Sequence, residues 1–133
     1  MSTETHRVTI TELASCSDSA VLRVSGELDQ SCEDFFLRTL GASVEAGHRH
    51  LVLDITALLF CDSRGLNCLL AIRWLLARRE GSLLLAGAGR RLSEMLALTG
   101  STELLPVHRT VGQALSTLPP QERPQWPPSP SCA

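Results

Sequence analysis

Few side chains in this chain have the types and spacing that do chemistry, and the most suggestive of them surround one serine. Phe60-Cys61-Asp62-Ser63-Arg64-Gly65-Leu66 follows an apolar run, Leu51-Val52-Leu53-Asp54, and opens a long apolar helix. At a helix start the first backbone N–H groups lack partners, and a Ser hydroxyl there can accept from one of them. Ser63 therefore reads first as a cap. Gly65 has no side chain to shield it, which leaves the hydroxyl within reach of another protein.

Catalytic readings of the same residues fail on spacing. There is no G-x-S-x-G around Ser63, and His6, His48, His50 and His108 offer no Ser-His-Asp order. Cys61 precedes the helix and does not begin its first turn, so little there would lower a thiol pKa. Gly87-Ala88-Gly89-Arg90-Arg91 stands between an apolar run and a helix but lacks the third glycine and the Lys-Ser/Thr of phosphate-cradling loops; it reads as a tight turn. The sequence points to no enzyme and no cofactor. The five cysteines form no C-x-x-C pair and His48-x-His50 is the only close histidine pair, so no metal site is expected and the thiols read as small apolar fillers.

The elements that hold Ser63 follow from periodicity. Alternation over residues 7 to 13 and 20 to 25, separated by the polar run 15 to 19, predicts an antiparallel hairpin. Gly26-Glu27-Leu28-Asp29 ends it. Asp29 or Ser31 can cap the next helix, with Asp34 in a box-like position after Ser31; Phe35, Phe36, Leu37, Leu40 and Val44 mark that helix as far as Gly47. His48-Arg49-His50 reads as a polar connection. The runs 51 to 53 and 83 to 86 are apolar throughout, as in strands covered on both faces.

The helix from Ser63 to about Arg79 carries two stripes. Gly65, Leu69, Ile72 and Leu76 form the core stripe. Ser63, Asn67, Leu70 and Trp74, at spacings of four, three and four, form a second one beside it. Leu70 and Trp74 either widen the core face or form a docking strip around Ser63. A helix over Leu92, Met95, Leu96 and Leu98 ends at Gly100, residues 102 to 107 read as an edge strand containing Pro106, and Thr110 starts a last short helix. The expectation is one α/β domain over residues 1–118: a mixed, mostly parallel sheet with an N-terminal hairpin, packed by about four helices. Six of the seven prolines lie beyond Leu118, so residues 119–133 read as a solvated, disordered tail.

Composition narrows the partners. A 133-residue chain with 44% hydrophobic residues can bury a core, and a formal charge of −2 without a basic run argues against nucleic acid. The N-terminus lacks a signal-peptide layout and no apolar run reaches the ~20 residues of a bilayer span, which points to the cytoplasm.

The order hairpin, Gly26-Glu27-Leu28-Asp29, helix, Leu51-Val52-Leu53-Asp54, Asp62-Ser63-Arg64-Gly65-Leu66 and Leu98-Thr99-Gly100 resembles the STAS domain of bacterial anti-sigma factor antagonists over roughly residues 7 to 118. The resemblance implies a STAS-like fold. It also implies an anti-sigma factor serine kinase as partner, bound by the unphosphorylated form and released when Ser63 is phosphorylated, so that a sigma factor is freed while the complex lasts. A phosphatase would reset Ser63. Asp29 and Asp62 match acidic positions of that family, while Arg64 stands where many members have a second Ser or Thr. With the second stripe, the partner-binding set becomes Asp29, Asp62, Arg64, Asn67, Leu70 and Trp74. The alternative is a STAS interaction subunit of a signalling or transport assembly that does not switch.

Overall fold

The computed structural model describes residues 7–128. Strands β1 (Val8–Ser15) and β2 (Ser19–Leu28) form the antiparallel hairpin, and β3 (His50–Asp54) and β5 (Ser82–Ala86) extend the sheet in parallel to the edge strand β6 (Val107–His108). A further strand, β4 (Leu58–Cys61), pairs parallel to the last residues of β2. β3 pairs with Ser19 to Arg23 of β2 and β4 with Gly26 to Leu28, so β4 takes over where β3 leaves. Four helices complete the domain: α1 (Glu33–Glu45), α2 (Ser63–Arg78), α3 (Arg90–Leu98) and α4 (Val111–Leu115). This is the expected mixed, mostly parallel α/β layout.

Why the middles of the central strands are apolar is visible in the packing. Leu51, Leu53, Leu83 and Leu85 point to the larger core, with Phe36, Leu40 and Val44 of α1, Leu69, Ile72 and Leu76 of α2, and Leu92 and Leu96 of α3. Val52, Leu84 and Ala86 point the other way, onto Val111, Ala114 and Leu115 of α4. Successive strand residues face opposite sides, and both sides are covered. A register shift between Glu12 and Ala14 carries Leu13 and Ala14 to the smaller core, while Ile10 packs on the larger one.

Three expectations about local structure are corrected. Residues 102 to 107 do not form an edge strand; Leu104 and Leu105 donate their N–H groups to Ser101 O in a turn that buries Leu105, and only Val107 and His108 pair with β5. His50 is no connector: it begins β3, is buried, and bonds Ser82 Oγ through Nδ1 and Glu122 Oε1 through Nε2, both at 2.9 Å.

The third correction concerns residues 119–128, which are a strap, not a solvated tail. Pro120–Glu122 forms a 3-10 turn, Ser19 Oγ donates to Glu122 O, Arg49 reaches the Glu122 carboxylate at 3.1 Å, and Trp126 packs against the smaller core. Proline excludes helix and ladder but not packing, and these partners come from distant parts of the chain. Residues 129–133 lie outside the described residues.

Candidate functional site

Four elements start where the parallel strands end, and so gather at one end of the sheet: the turn after β2, α2 after β4, α3 after β5 and α4 after β6. Ser63 sits in the second of these starts. Asp62 at the end of β4 is extended, and its carboxylate accepts from the Gly65 N–H at 2.9 Å. Asp62 is therefore the cap, and Ser63 is the first helical residue. The expected capping role for Ser63 is corrected on that account: the residue one place earlier already fills it. Among the described residues the Ser63 hydroxyl has no hydrogen bond, and the residue is exposed.

Gly65 has a different part from the one its lack of a side chain suggested. It is buried, and a Cβ there would lie 2.5 Å from Leu28 O and 2.8 Å from Cys61 Sγ. Its absence of bulk lets the first turn of α2 press onto the end of β2. That approach fixes where Ser63 stands relative to Asp29. It does not uncover the serine.

Asp29 caps the 3-10 turn Gln30–Cys32, accepting from the Ser31 N–H at 3.0 Å and the Ser31 hydroxyl at 2.6 Å. The Ser31 hydroxyl, ahead of the Ser31 N–H and the Arg7 charge 3.5 Å away, holds the Asp29 carboxyl below its ordinary pKa. Ser31 is thus a donor to the cap, and the capping box with Asp34 does not form. Arg7 also pairs with Glu27 at 3.0 Å. With Asp29, Gln30, Ser31 and Asp62 it lines an open cleft of about 540 Å³. Arg7 had no local signal as a site residue, because its partners lie some twenty positions away across the hairpin.

The remaining candidates divide by direction. Arg64 is exposed and pairs with Glu33 at 3.3 Å, tying the starts of α2 and α1 together. Asn67 is exposed on the same face of α2 as Ser63, Leu70 is half-buried against the larger core, and Trp74 is 55% exposed with the Arg78 guanidinium 4.8 Å from its ring centroid. Trp74 therefore stands on the surface and does not widen the core, whereas Leu70 does so in part. The core stripe of Gly65, Leu69, Ile72 and Leu76 is buried as expected.

Burial pushes the Cys61 thiol up to about 12, with Asp62 adding to it, and the Cys68 thiol up to about 11, again chiefly by burial. Both stay protonated near neutrality and are poor nucleophiles. Among the described residues no group of His, Cys, Asp and Glu could hold a metal ion, and no helix is long and apolar enough to cross a membrane.

Comparison with known proteins agrees with this architecture. The STAS domain model matches residues 8–114. An anti-sigma F factor antagonist of Paenibacillus polymyxa is 25% identical over 99 residues, 74% of this chain and 85% of that protein. The crystal structure of an anti-sigma factor antagonist from Mycobacterium paratuberculosis is 30% identical, with a TM-score of 0.70 over 82% of this chain and 93% of that one. The Bacillus cell fate determinant SpoIIAA in its phosphorylated form shares the fold, with a TM-score of 0.66 at 16% identity over 82% of this chain and 98% of that one. The chain belongs to the STAS domain family, among the anti-sigma factor antagonists.

Proposed function

We propose that the unphosphorylated protein binds an anti-sigma factor that is itself a serine kinase, that this binding frees a sigma factor, and that phosphorylation of Ser63 ends it. The observation that carries the reading is the free hydroxyl: Asp62 caps α2, so Ser63 Oγ is exposed and has no partner among the described residues. Modifying it removes no hydrogen bond from the fold. The added charge of about −1.5 to −2 falls at a helix N-terminus, where unpaired N–H groups and the macrodipole favour an anion. The phosphorylated chain is expected to stay folded.

The switch must then act at the contact with the partner. Moving a partner from 99% bound to 99% free takes about 5.5 kcal/mol of differential affinity. A screened, exposed like-charge contact supplies about 1 kcal/mol or less, which is too little. Burying an unpaired phosphate in an interface costs several kcal/mol, which is enough. Ser63 therefore belongs inside the contact patch, with Asp62 adding repulsion and Asn67, Leu70 and Trp74 adding contact area. The nearby cations temper the penalty without removing it: Arg64 is held by Glu33, and Arg7 by Glu27 and Asp29.

Incubation with ATP and a cognate anti-sigma factor kinase, followed by peptide mass analysis, tests the assignment. One phosphate on Ser63 is expected, and none on Ser63→Ala. Stable kinase binding without any phosphate would favour the non-switching interaction subunit.

A further inference from the structure

We infer that a second groove, next to the cleft lined by Asp29 and Asp62, receives an apolar side chain flanked by carboxylates on the same kinase; this rests on the kinase-binding reading above. The groove encloses about 390 Å³ between the segment containing β4 and the start of α3. Leu58, Leu59, Phe60 and Leu92 supply its apolar walls, and Arg90 and Arg91 stand at its rim. It adjoins the cleft of Asp29 and Asp62 through consecutive residues, since Cys61 lines the groove and Asp62, next to Ser63 in the chain, lines the cleft.

Two features mark it as a contact surface and fix the character of the occupant. Leu59 is 79% exposed and Phe60 44% exposed, although the strand that carries them is held by β2. Two adjacent large apolar side chains left in water on a strand favour burial by a partner. The charge around them is of one sign. Among the described residues no carboxylate lines the groove, Arg91 is exposed, and Arg90 meets only Glu94, one helical turn along, at 3.9 Å. Gly89 gives α3 no side-chain cap, so the partial positive charge of the helix start adds to the two guanidinium groups. An acidic rim around an apolar anchor complements this, whereas a basic surface is repelled. The kinase must bring its active site to Ser63, and a docking contact adjoining that site would orient it without the phosphate-sensitive contact having to supply all the affinity.

The test is kinase affinity of the full chain, with Leu59→Ser/Phe60→Ser, Arg90→Glu/Arg91→Glu and Ser63→Asp measured in parallel. These groove side chains are exposed, so thermal denaturation should stay close to wild type. The groove variants are expected to bind about tenfold or more weakly, the arginine variant with a reduced dependence on salt. Wild-type affinity in both groove variants, with Ser63→Asp still impaired, would overturn the groove and leave the Ser63 switch standing. Weak groove variants with an unimpaired Ser63→Asp would support the groove and overturn the switch. Co-sedimentation of the wild type with phosphatidylserine vesicles, abolished by the groove substitutions while kinase affinity is unchanged, would reassign the groove to lipid.

Discussion

The two ends of the central strand β3 handle polar groups in opposite ways. At its start, His50 is buried and both ring nitrogens are engaged, by Ser82 and by Glu122 of the C-terminal strap, while Arg49 holds the same carboxylate. At the other end, the polar groups around the start of α2 face outward: Ser63 is exposed and has no partner among the described residues, Arg64 and Asn67 are exposed, and Asp29 and Asp62 line an open cleft. Buried polar groups are tolerated when they are fully hydrogen-bonded, and such clusters fix a packing arrangement. Exposed ones with spare valence are open to a visitor. The first end is therefore architecture, and the second is where we propose that recognition takes place.

The largest effect expected on this contrast comes from Gly65→Ala. The new methyl meets a backbone carbonyl that cannot rotate away, so the domain should lose about 2–3 kcal/mol in denaturant unfolding, and the first turn of α2 should lift from β2. An unchanged midpoint would mean that the close approach does not hold Ser63 in place. Next is Glu122→Ala, which leaves His50 Nε2 without its acceptor and Arg49 without its nearest carboxylate. A loss of about 1–3 kcal/mol is expected, with kinase affinity unaltered. Weaker kinase binding by a variant that is still folded would break the division between the two ends.

The smallest effect is acidic and local. Because the Asp29 pKa is depressed, its contribution to stability is present above the ordinary aspartate value of 3.8 and is lost as pH falls through the lower, folded value. A carboxyl carbon titration should place the Asp29 midpoint below 3.8, and Ser31→Ala should raise it. A midpoint at or above 3.8 would mean that Asp29 is not engaged by Ser31.

What could be read from the chain follows the range of the interactions involved. The doubly covered strands, the core stripe of α2 and the start of α4 at Thr110 depend on neighbours within a few residues, and periodicity carries that information. β4 escaped because two of its four residues, Leu59 and Phe60, are exposed, and because among the described residues it pairs only with the end of β2. His50 read as part of a polar connection and Arg7 only as the start of a strand because Glu122 and Glu27 are far along the chain. The strap was hidden by its prolines, which say what backbone cannot form and nothing about Trp126 finding the smaller core. Ser63 could be located at the helix start, but only the Asp62 to Gly65 hydrogen bond shows that its hydroxyl is free of capping duty.

The central claim is that a phosphate on Ser63 acts at the contact and not on the fold. It is tested most directly by isolating the Ser63-phosphorylated chain and comparing its affinity for the kinase, and its thermal unfolding, with those of the unmodified chain. The account predicts a loss of affinity of at least about a hundredfold with a nearly unchanged unfolding midpoint. Equal affinities, or a loss of binding that tracks a loss of stability, would contradict it.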